Sequence, residues 1–420
     1  MDKLIVKKSN GLKGRVRVDG SKNAVLPILC AAILPERGTT VIHDVPRLRD
    51  IRTIVSLLES LGAKIEWVES DGTMSINAET ITSYEAPYDL VRQMRASFLV
   101  LGPLLARAGK AKVSLPGGCS LGQRPVNLHI KGFQNLGARI TEDAGYVLAE
   151  CDRLSGGIFC FDRPSHTGTE NIMMGAVTAS GTTTIVNAAM DPEVVDLAKF
   201  LNQMGAAIEG AGSPTIIIKG VKELKSIEYT VMPDRLVAGT YMCACAAVGG
   251  EIELENCRPS DLDMVIQKLR EAGAEFETNA SRVKMICRSR PRTFDITTFP
   301  YPGFPTDLQP CFMSTAAVAD GVSRIRETIF EDRFACAMEL IRMGANIHIA
   351  SDTATVEGTD RLQGTTVMAS DIRAGAGLVV AALAAHDETH IRRIYHIDRG
   401  YSEIDKKLSQ IGADISRVPD

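Results

Sequence analysis

Leu61-Gly62-Ala63-Lys64-Ile65 decides the fold, because the same pattern returns along the whole chain. The copies are Leu136-Gly137-Ala138-Arg139-Ile140, Met204-Gly205-Ala206-Ala207-Ile208, Ala272-Gly273-Ala274-Glu275-Phe276, Met343-Gly344-Ala345-Asn346-Ile347 and Ile411-Gly412-Ala413-Asp414-Ile415. Each glycine supplies the left-handed residue that stops a helix, and the alternation behind it predicts a strand. The glycines recur every 68 to 75 residues, from Gly62 to Gly412. Such regular self-similarity marks one supersecondary unit used six times.

Upstream of the landmark lies a second one, an Ala-rich helix followed by a strand. Helices are expected over 24–34 before Gly38-Thr39-Thr40-Val41 and over 172–180 before Gly181-Thr182-Thr183-Thr184-Ile185. The same plan places helices over 241–248 before Gly249 and over 378–385 before Thr389-His390-Ile391. Each unit then runs strand, helix, strand, helix, strand, with room for one more strand, over about 70 residues. The implied class is α/β with two lobes of three units each. Residues 22–232 would form the first lobe and 1–21 with 233–420 the second, crossing near 219–234, with the active site in the cleft between them.

A chain of 420 residues exceeds one comfortable core, in line with two lobes. A net charge of −4 argues against a nucleic-acid binder, so any anion site must be a local cluster of Lys and Arg. The opening Met1-Asp2-Lys3-Leu4-Ile5-Val6-Lys7-Lys8 lacks the apolar core of a signal peptide. The most apolar stretch, 96–106, is interrupted by Gly102 and Pro103 and is too short to span a bilayer. A cytoplasmic protein without membrane or nucleic-acid partners is expected. The ten cysteines form no CxxC pair, the nearest approach being Cys243-Ala244-Cys245. Cys30, Cys311 and Cys336 sit in apolar runs, as buried small hydrophobes do in a reducing compartment. No metal site is expected.

Cys119 stands apart. In Pro116-Gly117-Gly118-Cys119-Ser120-Leu121-Gly122-Gln123-Arg124-Pro125, glycines flank a single thiol and an arginine follows five residues later. Glycine lets backbone N–H groups approach a ligand, and a nearby cation activates a thiol. The same residues also suit a glycine-rich turn around a small apolar side chain, and on their own they leave both readings open.

The first helix of each unit begins with polar residues its packing does not require. They are Ser21-Lys22-Asn23, Arg92-Gln93-Met94-Arg95, Ser165-His166-Thr167-Gly168-Thr169-Glu170-Asn171, Asp234-Arg235, Thr306-Asp307 and Asp371-Ile372-Arg373. A helix N-terminus favours anions, so caps such as Ser21 and Thr306 are ordinary there. Lys22, Arg95, Arg235 and Arg373 oppose the helix dipole, which suggests an anionic ligand that compensates them. Asp307 would be the carboxylate among these cations. Ile329-Phe330-Glu331-Asp332-Arg333-Phe334 and His396-Ile397-Asp398-Arg399-Gly400-Tyr401 add two arginines that alone read as surface ion pairs.

Together Gly20-Ser21-Lys22-Asn23-Ala24, Leu115-Pro116-Gly117-Gly118-Cys119, Arg124-Pro125-Val126, Gly303-Phe304-Pro305-Thr306-Asp307 and His396-Ile397-Asp398-Arg399-Gly400-Tyr401 resemble the UDP-N-acetylglucosamine enolpyruvyl transferases of the EPSP synthase superfamily. The resemblance runs from the first strand to the last helix. It implies an inside-out α/β barrel in each lobe and no cofactor. The implied reaction moves the enolpyruvyl group of phosphoenolpyruvate to the 3′-hydroxyl of UDP-N-acetylglucosamine and releases phosphate, the first committed step of bacterial peptidoglycan synthesis.

By matching position, Lys22, Arg124 and Arg399 would hold the phosphate and carboxylate of phosphoenolpyruvate, with Arg333, Asp371 and Arg373 on the same side. Asn23 and Thr306 would orient the sugar, and Asp307 would act as general base on its hydroxyl. Arg95, Pro125, Val126, Asn127, Leu128, His129, Ser165 and Ile329 would line the nucleotide pocket, with Arg163 and His166 beside them. Cys119 would deliver the proton to the methylene carbon, could add covalently to phosphoenolpyruvate, and is where the inhibitor fosfomycin would attach. A thiol with a pKa near 8.5 is protonated at neutral pH and yields its proton readily. Asn127 stands where many members carry Asp, while Leu99, Arg163 and His166 also depart from the common pattern. These departures bear on the nucleotide pocket and leave the chemistry intact. Transfer to shikimate 3-phosphate is the rival activity, disfavoured by the Gly-Gly-Cys loop. A non-catalytic UDP-sugar-binding paralogue is the rival class.

Overall fold

Strands and helices alternate through the chain, and they gather into two compact units, residues 2–19 with 233–420 and residues 20–116 with 126–232. The structure, a computed structural model, describes residues 2–116 and 126–420. Each unit has its own hydrophobic core.

Six four-stranded sheets share one pairing order, three in each unit. In every sheet one edge strand pairs in parallel with its neighbour, and the other two strands add antiparallel. Ile158–Cys160 runs parallel to Thr182–Val186, which pairs with Thr215–Lys219, and Ala207–Glu209 closes the edge. The strand after each Gly-Ala landmark, for example Lys64–Val68 or Asn346–Ala350, is always that edge strand. Parallel pairing requires a crossover, as the helix His166–Ala176 supplies between Ile158–Cys160 and Thr182–Val186.

The chain ends are distributed across this plan. Asp2–Lys7 joins the sheet of Thr366–Met368, Glu388–Arg392 and Ile415–Pro419, and Leu12–Arg17 runs parallel to Gly250–Glu255. Glu228–Thr230 returns to pair with Thr39–His43.

The six landmark glycines adopt positive φ, from 87° at Gly344 to 108° at Gly62. A side chain there would be strained, which is why the helix stops were readable.

Helices divide by burial. Lys22–Ala31, His166–Ala176, Arg235–Val248, Gln309–Ala316 and Ile372–Ala384 are buried nearly all round. Arg49–Leu61, Asp263–Glu271 and Ile404–Gln410 bury one stripe only. A helix apolar on every side belongs in a core, and an amphipathic one covers it. The buried helices begin at the polar residues singled out in the sequence, ahead of the apolar runs: His166 before 172–180 and Ile372 before 378–385. Their polar first turns are inside the fold, so the apolar pattern understates their length. Residues 95–100 form a 3-10 turn before the helix Leu101–Ala108, with Gly102 donating its N–H to Asn171 Oδ1 at 2.7 Å.

Candidate active site

Asp307 is the centre of the cluster in the unit that holds the C-terminal half. It sits in the 3-10 turn Thr306–Leu308 at the head of the helix Gln309–Ala316. Phe304 anchors that turn by packing edge-on against Phe312, ring centroids 4.7 Å apart. Arg333 Nη2 donates to Asp307 Oδ1 at 2.7 Å, and Arg373 Nε donates to Asp307 Oδ2 at 3.0 Å. The two arginine side chains are 2% and 5% exposed and the carboxylate 27%. The carboxylate therefore faces solvent while its cations stay inside.

Both arginines are fixed from behind. Arg333 Nε donates to the carbonyl of Thr306 at 3.2 Å, and its guanidinium lies 5.7 Å from the Phe330 ring. Arg373 Nη1 donates to the Tyr401 hydroxyl at 3.2 Å. Tyr401 bonds Thr240 Oγ1 at 2.9 Å, and Thr240 in turn donates to the carbonyl of Leu236. Donors thus run one way, from Arg373 through Tyr401 to Thr240. Burial raises the Tyr401 phenol despite Arg373, so it stays neutral. Burial alone would lower the Arg373 guanidinium, but Tyr401 and Asp307 outweigh it and hold the cation.

Thr306 donates its hydroxyl to Glu327 Oε2 at 3.0 Å. Asp371 caps the helix Ile372–Ala384, accepting from Arg373 N at 2.9 Å and Ala374 N at 3.0 Å. Ile329 is half-buried, and Arg399 is half-buried in the turn Ile397–Arg399. Asp234 caps the helix Arg235–Val248, and the Arg235 guanidinium lies 5.3 Å from the Tyr301 ring.

The other unit presents Lys22 at the first position of the helix Lys22–Ala31, capped by Ser21. Gly20 makes that start possible, since a Cβ there would stand 1.9 Å from the carbonyl of Asp44. Lys22 Nζ pairs with Asp50 Oδ2 at 2.7 Å, both side chains buried. Asp50 opens the helix Arg49–Leu61, where a carboxylate also suits the dipole. Lys22 and Arg373 thus each have a carboxylate of the chain beside them, Asp50 and Asp307.

Asn23 and Arg95 are half-buried, Val126 is buried, Asn127 exposed and Leu128 half-buried. His129 is buried, and its ring meets Phe98 edge-on at 5.3 Å. Asn171 Nδ2 donates to His129 Nδ1 at 3.0 Å and to the carbonyl of Phe98, so the imidazole proton lies on Nε2, toward Thr167 Oγ1 at 3.4 Å. Burial, helped by Arg95, lowers the His129 pKa to about 3. A depressed histidine stabilises the fold above its unfolded value near 6.5 and loses that contribution as pH falls toward 3. Between pH 7 and pH 5 wild type is expected to lose about 2 kcal/mol relative to His129→Asn, whose amide oxygen can stand in for Nδ1. Urea unfolding of both proteins at the two pH values measures it, and parallel losses would contradict it.

Ser165 caps the helix His166–Ala176, accepting from Gly168 N at 3.1 Å, and Arg163 is exposed. His166 Nε2 lies 3.1 Å from Glu170 Oε1, and Nδ1 lies 3.6 Å from Asp191 Oδ1. Burial alone would lower His166, but these two carboxylates outweigh it and hold the ring well above its ordinary value. Its sign is opposite to that of His129: the stabilisation is complete below about 6.5 and is lost as pH rises through the folded value. Donor atoms of His166, Asp191 and Glu193 come within 4.8 Å of one another, a spacing that could hold a cation. With a carboxylate at each ring nitrogen, a protonated His166 supplies the positive charge from within the chain.

Cys119, Arg124 and Pro125 lie outside the described residues. The described cysteines are free thiols; burial raises Cys311 to about 11 and Cys336 to about 12, as small core residues should be. No helix among the described residues is long and apolar enough to cross a membrane.

Residues 6–408 match the EPSP synthase (3-phosphoshikimate 1-carboxyvinyltransferase) family. A UDP-N-acetylglucosamine 1-carboxyvinyltransferase of Thermodesulfovibrio yellowstonii is 50% identical over 419 residues, covering 100% of both chains. The chain belongs to the UDP-N-acetylglucosamine 1-carboxyvinyltransferase family. Within this family the enzyme so named from Trichlorobacter lovleyi is 52% identical over 419 residues, 100% of this chain and 99% of its own. Among solved structures, the enolpyruvyl transferase NikO from Streptomyces tendae superposes with a TM-score of 0.89 at 25% identity, covering 100% of this chain and 99% of its own. An EPSP synthase from Acinetobacter baumannii, 19% identical and covering 100% of both chains, has a TM-score of 0.77 and shares the fold. The mixed α/β class and the enolpyruvyl-transferase fold expected from sequence are therefore those of the structure.

Sequence reading missed Asp50, Glu327, Thr240 and Tyr401's link to Arg373. An acid in a helix first turn, as at Asp50, carries no signal beyond that helix.

Proposed function

We propose that this chain transfers the enolpyruvyl group of phosphoenolpyruvate to the 3′-hydroxyl of UDP-N-acetylglucosamine, releasing inorganic phosphate. The observation that carries the reading is Asp307, a solvent-facing carboxylate held by two buried arginines. Full-length identity near 50% to carboxyvinyltransferases of this specificity supports it. Such a reaction would belong to cytoplasmic peptidoglycan synthesis, where both substrates are made.

The chemistry needs three proton transfers and a leaving group. As the sugar oxygen bonds to the central carbon of phosphoenolpyruvate, its proton passes to Asp307. The double bond's electrons take a proton at the methylene carbon, and Cys119 is the acid for that step. The thiolate left on Cys119 then takes a proton back from the new methyl group, which expels phosphate and restores the double bond, and the phosphate carries away the proton held by Asp307. Lys22, Arg124 and Arg399 neutralise the phosphate and carboxylate charges, which fixed cations out of water do far better than solvent. Arg333 and Arg373 orient Asp307 and face the same anions. Asn23 and Thr306 direct the sugar, and Arg95, the 125–129 segment, Ser165 and Ile329 take the nucleotide, with Arg163 and His166 at its edge.

Phosphate release with each acceptor tests the reading. Turnover with UDP-N-acetylglucosamine and none with shikimate 3-phosphate is expected; the reverse would replace the acceptor, and binding without release would make the chain a sensor. Cys119→Asp keeps a proton donor but no sulfur, so it is expected to stay active and to resist fosfomycin. Inactivation by fosfomycin at the wild-type rate would remove Cys119 as its target.

A further inference from the structure

We infer that Glu327 is a positioning residue for the acceptor, one carboxylate that fixes the Thr306 hydroxyl and the Ile329 backbone together. The inference rests on the proposed roles of Thr306 and Ile329 at the nucleotide sugar. Glu327 follows the strand Val322–Arg326 directly and is 5% exposed. Its Oε1 accepts from Thr298 Oγ1 at 2.8 Å, Ile329 N at 2.8 Å and Phe330 N at 3.2 Å. Its Oε2 accepts from Thr306 Oγ1 at 3.0 Å. An ionised carboxylate has about four acceptor positions and no donor, so these neutral donors fill it.

The consequence is directional. Thr306 must point its proton at Glu327, which turns the hydroxyl's lone pairs outward as acceptors. Its carbonyl is taken by Arg333 Nε at 3.2 Å, so the residue is gripped at both ends beside Asp307. The 329–330 turn is tied to the same carboxylate and leads straight into Arg333. One buried group thereby sets the register between the sugar-directing hydroxyl, the base and the arginine that orients the base.

Glu327→Gln keeps the shape but carries one oxygen and one NH2. With the oxygen on the Ile329 and Phe330 amides, the NH2 faces Thr306, whose hydroxyl must reverse to accept from it. A hydroxyl that offered lone pairs to the acceptor then offers a proton. Calorimetric binding of UDP-N-acetylglucosamine is expected to weaken by about tenfold, the worth of one charge-assisted hydrogen bond, with KM for phosphoenolpyruvate changed by less than about twofold. A merely structural role would lower the unfolding midpoint and move both substrates alike, and that result overturns the inference. Thr306→Val provides a second route, removing the hydroxyl outright without a charge change. It should show the same acceptor-selective loss, and the double variant should bind no worse than Thr306→Val alone because the two changes act through one group. Wild-type affinity in both single variants overturns the Glu327 inference. Failure of wild type itself to bind UDP-N-acetylglucosamine would instead overturn the functional reading on which it rests.

Discussion

Asp307→Asn should lower phosphate release by roughly 100- to 10,000-fold, the range that a lost general base costs. The amide fills the same space and still accepts at one oxygen, but it cannot take the proton of the sugar hydroxyl. Stability should fall as well, because Arg333 and Arg373 are buried and each donates to this carboxylate. Removing one partner of a buried pair leaves an uncompensated charge, here about 3 kcal/mol, the low end for such pairs because Asp307 reaches solvent. Binding of UDP-N-acetylglucosamine should remain measurable, since Thr306, Ile329 and Glu327 are untouched. Steady-state kinetics, calorimetry and denaturant unfolding on the one variant separate these effects. A rate within tenfold of wild type would take Asp307 out of the proton transfer.

Asp50→Ala is expected to cost about 3 to 5 kcal/mol, the range for breaking a buried ion pair. Lys22 and Asp50 are both buried, and their 2.7 Å contact gives each charge its counterion. Without Asp50 the Lys22 ammonium loses the carboxylate that offsets its burial. Replacing both residues, as Lys22→Met with Asp50→Leu, should recover most of the stability because an apolar pair of similar volume needs no compensation. Turnover should not recover, because the cation proposed for phosphoenolpyruvate is gone. A double variant that remains as unstable as Asp50→Ala would mean that the pair is held by more than its charges. Recovered turnover would remove Lys22 from the binding of phosphoenolpyruvate.

The architecture was legible because its decisive signals are local. Gly62 and its counterparts stop helices through their own φ, and the strand that follows alternates by its own side chains, with no need for distant partners. Helix starts were local too: Ser165, Asp234 and Asp371 cap the turns that follow them, ahead of where the apolar pattern begins. In the site, Asp307, Arg333 and Arg373 could each be singled out by residue type and family pattern. Their joint geometry could not, since Asp307 and Arg373 are 66 positions apart and meet only through the fold. Asp50 and Glu327 were invisible for a related reason: a carboxylate in a helix first turn or after a strand has an ordinary local explanation. Only the side chains that converge on it, Lys22 in one case and Thr298 and Thr306 in the other, give it a role.

Mass analysis of the nucleotide sugar after incubation with phosphoenolpyruvate tests the central claim most directly. Wild type should convert UDP-N-acetylglucosamine to a species heavier by one enolpyruvyl group, with an equal amount of phosphate released, and Asp307→Asn should leave it unchanged. An unmodified nucleotide sugar in the wild-type reaction, with phosphoenolpyruvate consumed only when shikimate 3-phosphate is present, would contradict the account.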